Sequence, residues 1–195
     1  MLGIGLVLLF GLFSFWYFNQ RPLAPSGGLY FPWRLEIPVT PFYQHDQKWR
    51  ENRLAWTDGT LGREGCAVTS AAMVLKFYGI DTDPGRLNAA LSATGGYTME
   101  GWIDWEAAAN LTPNRIRLAY ENAPSYYQID SNLIRGNPVI IRVRLSNGIT
   151  HFVVIAGKQG FDYLIHDPMA QAGSGIYPLR ELHSKIEALR FYEKH

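Results

Sequence analysis

The 195-residue chain contains a single cysteine, which excludes an intramolecular disulfide framework. It has no Cys-x-x-Cys pair and no His-Glu-x-x-His run, so the usual ligand spacings for zinc are missing and neither a metal nor another cofactor is expected. Long runs of one charge are also missing. Lys and Arg number 18 against 17 Asp and Glu, a formal net charge of +1, and nothing points to a nucleic-acid partner. There are no internal repeats and no low-complexity tracts. What remains is an ordinary globular composition, long enough for one well-buried core.

Charge is entirely lacking from the side chains of Met1 to Phe18 (MLGIGLVLLFGLFSFWYF). Eighteen residues of helix span about 27 Å, close to the thickness of a bilayer core. The aromatic cluster Phe15-Trp16-Tyr17-Phe18 at its end suits an interfacial belt. A cleaved signal peptide wants a basic start and a small-x-small site. The best candidate site here, Ala24-Pro25-Ser26, has a proline inside it, so an uncleaved single-pass anchor is the favoured reading. Arg21 and Arg34 follow the segment and would weakly hold the body of the chain in the cytoplasm, but large domains translocate with little regard to one or two charges. The extracytoplasmic side is favoured. Residues 19–34, rich in Pro, Gly and Ser, read as a linker, and 35–195 as a single domain.

The lone thiol sits where a helix should start. Gly65-Cys66-Ala67-Val68-Thr69-Ser70-Ala71-Ala72-Met73-Val74-Leu75 carries apolar residues three and four positions apart, and the pattern stops at Gly79. A sulfur at a helix N-terminus faces N–H groups without helical partners and the positive end of the dipole, both of which favour thiolate. The competing reading is a small buried hydrophobe, the commoner fate of a free cysteine. Further helices are expected from Pro84 with Asp83 as cap, over Trp102 to Asn110, over Ile129 to Arg135, and from about Leu179 to Leu189, with a last strand-like piece from Leu189 to Tyr192.

After Pro138 the period changes to two. Val139, Ile141, Val143 and Leu145 alternate with Ile140, Arg142 and Arg144, then Ile149 to Ala156 and Phe161 to His166 follow as strands with turns between. A three-residue loop, Lys158-Gln159-Gly160, with Gly160 left-handed, would place His151 opposite Asp167 on one face. One ring nitrogen could then bond the carboxylate while the other moves a proton.

Tyr43-Gln44 with Asp46 and Trp49, Gly65-Cys66-Ala67-Val68-Thr69-Ser70-Ala71-Ala72-Met73, Gly136-Asn137-Pro138-Val139-Ile140, His151-Phe152-Val153-Val154-Ile155-Ala156-Gly157 and Asp167-Pro168 together resemble the papain-like cysteine peptidases of the double-glycine leader peptidase type. The likeness is to their stand-alone, family-thirty-nine-like domains and spans about Ile37 to Tyr177. It implies an α+β, papain-like fold in which a helical part bearing the cysteine packs on an antiparallel sheet bearing the histidine. It implies Cys66 as nucleophile, His151 as base and then acid, Asp167 as the group that orients the imidazole, and Gln44 as an oxyanion-hole donor beside the Cys66 N–H. Ala67 stands where the family often has a second glycine.

The expected activity is hydrolysis of a peptide or related amide bond in a peptide or protein substrate by a membrane-anchored thiol enzyme. Acyl transfer from the same site, or a non-catalytic peptide-binding domain on the same frame, remain alternatives. Trp49, Trp56, Trp102, Trp105, Tyr126 and Tyr127 are the aromatics that could line a peptide groove. Nothing in the residues sets the oligomeric state.

Overall fold

The structure, a computed structural model, describes residues 21–195. The Met1–Phe18 segment read as an anchor lies outside them. Among the described residues no helix is long and apolar enough to cross a membrane.

One antiparallel sheet organises the domain. Its strands are β1 (Ser26–Glu36), β2 (Ile116–Asn122), β3 (Val139–Arg144), β4 (Thr150–His166), β5 (Tyr177–Pro178) and β6 (Ile186–Lys194), in the spatial order β1-β4-β3-β6-β2, with β5 paired to β4. The helices are α1 (Leu61–Glu64), α2 (Cys66–Phe77), α3 (Pro84–Thr94), α4 (Trp105–Asn110) and α5 (Tyr126–Ile134). The α+β class expected from the sequence is the one found.

Helix α2 is built to be swallowed by the core. Val68 and every residue from Ala71 to Leu75 are buried, and the helix packs on β3 and β4. The small Ala71 and Ala72 allow the backbone to come close to the sheet, and Ser70 Oγ donates to the Phe152 carbonyl of β4 at 3.2 Å. Helix α3 starts as the capping pattern requires, with the Asp83 side chain accepting from Arg86 N. In β3 Val139, Ile141 and Val143 are fully buried, pairing with Ile155, Val153 and His151 of β4.

Strand β4 is not straight. Sixteen residues of extended chain would put His151 and Asp167 about 50 Å apart, yet His151 Nε2 lies 2.7 Å from Asp167 Oδ1. The chain therefore folds back within β4, and Gly160 is its left-handed residue (φ 60°), as a short loop there requires. The turn residues count as strand because β1 pairs across them: Leu35 with Lys158, and Phe31 with Gly160.

Three segments differ from expectation. The stretch read as a linker is tied down from Leu23 onward. Leu23 exchanges both backbone hydrogen bonds with Ile186 at 2.9 Å, and residues 26–34 belong to β1. Gly27 and Gly28 look like linker glycines but serve close packing. A Cβ on Gly28 would fall 2.1 Å from Asp130 Oδ2, and one on Gly27 would fall 2.6 Å from the Tyr126 ring. The helix expected over Leu179 to Leu189 is a single 3₁₀ turn, Leu179–Leu182, after which β6 takes Ile186 onward into the slot between β3 and β2. Helix-forming Glu187, Ala188 and Leu189 yield there to sheet pairing. Between Trp49 and Glu64, where the turn-formers Asp58, Gly59 and Gly62 suggest a loop, the short α1 forms over Leu61–Glu64.

Candidate active site

Cys66 is the first residue of α2 and is only half-buried. Its position depends on Gly65, which separates α1 from α2: a Cβ there would fall 2.4 Å from the Leu61 carbonyl oxygen and 2.7 Å from the Leu61 side chain. As the N-cap, Gly65 also offers no side chain to the first N–H groups of α2. The helix thus presents unsatisfied donors and its positive end at the sulfur.

His151 comes from the first arm of β4, opposite Val143, and is 1% exposed. Asp167 follows directly after the second arm and is likewise buried. Its Oδ1 is 2.7 Å from His151 Nε2 and accepts the Met169 N–H at 2.7 Å, while Oδ2 accepts the Tyr177 hydroxyl at 2.7 Å. With Nε2 held by the carboxylate, Nδ1 is the ring nitrogen left for proton transfer.

The electrostatics of the pair are one-directional. Burial of the imidazole opposes its charged form. Hydrogen bonds to Asp167 and Cys66, and the charges of both, outweigh burial and raise His151 from 6.5 to about 9. For Asp167 burial pushes the carboxyl up, but His151, Tyr177 and the Met169 N–H more than reverse it, so the acid is held below its ordinary value. Tyr177 is raised well above a normal phenol by burial and then by the Asp167 carboxylate, so it stays a donor.

Gln44 is buried. Its backbone N–H donates to the Pro168 carbonyl at 2.9 Å, which ties it to the turn after Asp167. Its side-chain Nε2 donates to the Gly62 carbonyl at 2.9 Å, on α1 just ahead of Cys66. One amide hydrogen is thereby used and one is left. Trp49 Nε1, bonded to the Tyr43 carbonyl at 2.9 Å, fixes the same loop from behind.

The fold therefore brings Cys66, His151 and Asp167 together and anchors Gln44 to both neighbouring segments. Sequence reasoning missed Tyr177 and Ser70. Tyr177 reaches the site because Ile165 of β4 pairs with it, and no local pattern announces that. Ser70 lies one helical turn beyond Cys66, a spacing that could have drawn attention to it. Of the aromatics considered for a groove, Trp49 and Trp105 are core residues, whereas Trp56, Trp102 and Tyr127 are exposed. Among the described residues no group of His, Cys, Asp and Glu could hold a metal ion.

Comparison with known proteins agrees with this frame. Residues 36–193 match the model of the Peptidase C39 like family. A crystal structure of a candidate C39-like peptidase from Bacillus anthracis superposes with a TM-score of 0.52 at 17% identity, covering 82% of this chain and 98% of that one. At that identity the likeness speaks for the fold alone. No curated protein matches the chain.

Proposed function

The chain belongs to the Peptidase C39 like family, and on that premise we propose that it is a cysteine peptidase hydrolysing a peptide or related amide bond through Cys66, His151 and Asp167. The observation that carries the reading is the imidazole itself. One nitrogen is locked to a buried carboxylate, and the ring is raised to about 9 in part by the sulfur of Cys66.

In this mechanism His151 Nδ1 takes the thiol proton and the Cys66 sulfur attacks the scissile carbonyl. The oxyanion that forms is met by the remaining Gln44 amide hydrogen and by the N–H of Cys66. Imidazolium then protonates the leaving amine, leaving a thioester. Water, deprotonated by the same nitrogen, attacks the thioester carbonyl, and the proton returns to sulfur as the acid departs. Asp167 keeps the ring in the tautomer that each step needs. The apolar Met1–Phe18 run is taken to anchor this domain at the membrane, with the domain on the extracytoplasmic side.

The test is alkylation by a thiol-directed electrophile alongside hydrolysis of a peptide library. Wild-type protein should be labelled once and should turn over substrate, and Cys66→Ala should do neither. Turnover that survives Cys66→Ala would end the proposal. Addition of hydroxylamine as an acceptor reads out transfer of the acyl group in the same assay.

A further inference from the structure

Strand β1 lies at the sheet edge and displays large apolar side chains to solvent. Leu29 is 57% exposed, Tyr30 63% and Trp33 74%, and on the adjoining turn of β4 Phe161 is 51% exposed. The Tyr30 and Phe161 rings touch edge to face, centroids 5.2 Å apart. A long edge strand with such a surface is a liability unless something covers it.

The backbone behind these side chains is rigid. Lys158 Nζ donates to the Gly27 carbonyl at 2.8 Å, and Asp130 Oδ2 accepts the Leu29 N–H at 2.6 Å. Pro32 lacks a donor, and the register with β4 shifts twice along the strand, so this edge is poorly shaped for another strand to extend the sheet.

We propose that Leu29, Tyr30, Trp33 and Phe161 seat the domain on the lipid–water interface of the bilayer that its own N-terminus enters, an inference that rests on the anchor reading above. The length of the tether argues for it. The uncharged run ends at Phe18, and the chain is already fastened to β6 at Leu23. Five residues reach at most about 18 Å, so a domain held that closely must turn one side to the lipid. Composition argues for the same occupant. Trp and Tyr, with an apolar body and a polar tip, favour the headgroup level, and Leu and Phe supply apolar area.

The experiment uses the full chain in phosphatidylcholine vesicles, in a Cys66→Ser background carrying one spin label at a time. Labels at Tyr30→Cys, Trp33→Cys and Phe161→Cys read the patch, and Trp102→Cys reads an exposed aromatic off β1. Phe10→Cys reads the anchor. Collision with oxygen is compared with collision with a water-soluble nickel chelate. The expected result is a lipid-like ratio at positions 30, 33 and 161, several-fold above that at 102. A lipid-like position 10 with water-like 30, 33 and 161 overturns the docking and leaves the anchor standing. A water-like position 10 with a lipid-like patch removes the anchor and keeps the surface. Patch labels shielded from both reagents and coupled to one another would mean that a second copy covers the edge, which also overturns the proposal. Unchanged thermal melts of the chains labelled at 30, 33, 102 and 161, each an exposed position, exclude misfolding as the cause.

Discussion

Strand β4 contributes to two buried acid–base pairs seven residues apart, and only one of them is unfinished. Lys158 and Asp130 are 0% and 2% exposed. The ammonium donates to Asp130 Oδ1 at 2.5 Å and to the Gly27 carbonyl, and it lies over the rings of Phe31 and Tyr163. The carboxylate also accepts the Tyr163 hydroxyl and the Leu29 N–H. Its capacity is spent inside the protein, and the result is a clamp on β1. His151 and Asp167 are buried almost as deeply, but the ring keeps one nitrogen uncommitted and Cys66 stands beside it. Burial and pairing alone do not mark a candidate for catalysis. A leftover donor or acceptor facing a nucleophile does.

The largest effect that would break this contrast is a crossover between the two pairs. His151→Ala should lower peptide turnover about 10³-fold or more with folding retained. Lys158→Met should leave turnover per folded molecule unchanged while costing about 3–5 kcal/mol in denaturant unfolding, because Asp130 is left buried and unpaired. If Lys158→Met instead abolished turnover in folded protein, the division into clamp and catalyst would be wrong.

Asp167→Asn comes next. It keeps the shape of the side chain but removes the charge and the tautomer control, and should reduce kcat by about 10²- to 10³-fold. It should also bring the His151 titration, followed by imidazole proton shifts, down from about 9 toward its ordinary 6.5. Gln44→Ala should lower kcat about 10²-fold with little change in KM, as expected for a donor used mainly in the transition state.

The pairs also differ in the sign of their pH dependence. His151 has a folded value raised above its unfolded one, so its contribution to stability is complete below about 6.5 and is lost as pH climbs through about 9. Lys158 is lowered, by burial that Asp130 only partly offsets, so the unfolded chain holds its proton longer and this group's contribution rises as pH approaches 10.5. Unfolding measured between pH 6.5 and 9 should lose its downward slope in His151→Ala and keep it in Lys158→Met. The smallest change expected is in Tyr177→Phe, which removes one hydrogen bond from Asp167. It should cost about 1.5–3 kcal/mol and let the carboxyl titrate higher.

The half of this comparison proposed as catalytic could be placed together from the chain and the clamp could not. Cys66 heads an amphipathic run, and a left-handed Gly160 between two alternating segments is enough to bring His151 back to Asp167. Lys158 and Asp130 lie 28 positions apart on different elements, and Lys158 falls in what looks like an exposed turn. The same blindness hid β1. A glycine that admits Asp130 Oδ2 is indistinguishable in sequence from one that lends flexibility. Strand β2 (IRLAYEN) lies at the opposite edge, mostly half-exposed or exposed, and so lacks a clear apolar alternation. For β6, the strand-like Leu189 to Tyr192 is legible, whereas Ile186 to Ala188 looks helical until the vacancy between two strands decides otherwise. Tyr177 is joined to its acid only by the pairing of β5 with β4.

The Gly62 carbonyl, by accepting from Gln44 Nε2, also makes this position intolerant of a carboxylate. Hydrolysis of that amide, equivalent to Gln44→Glu, would turn a carboxylate oxygen toward a carbonyl oxygen 2.9 Å away. It would also put a negative charge where the proposed reaction must build one. On the proposed mechanism Gln44→Glu would therefore be expected to silence a molecule that still carries its thiol, read as lost turnover with Cys66 still open to alkylation.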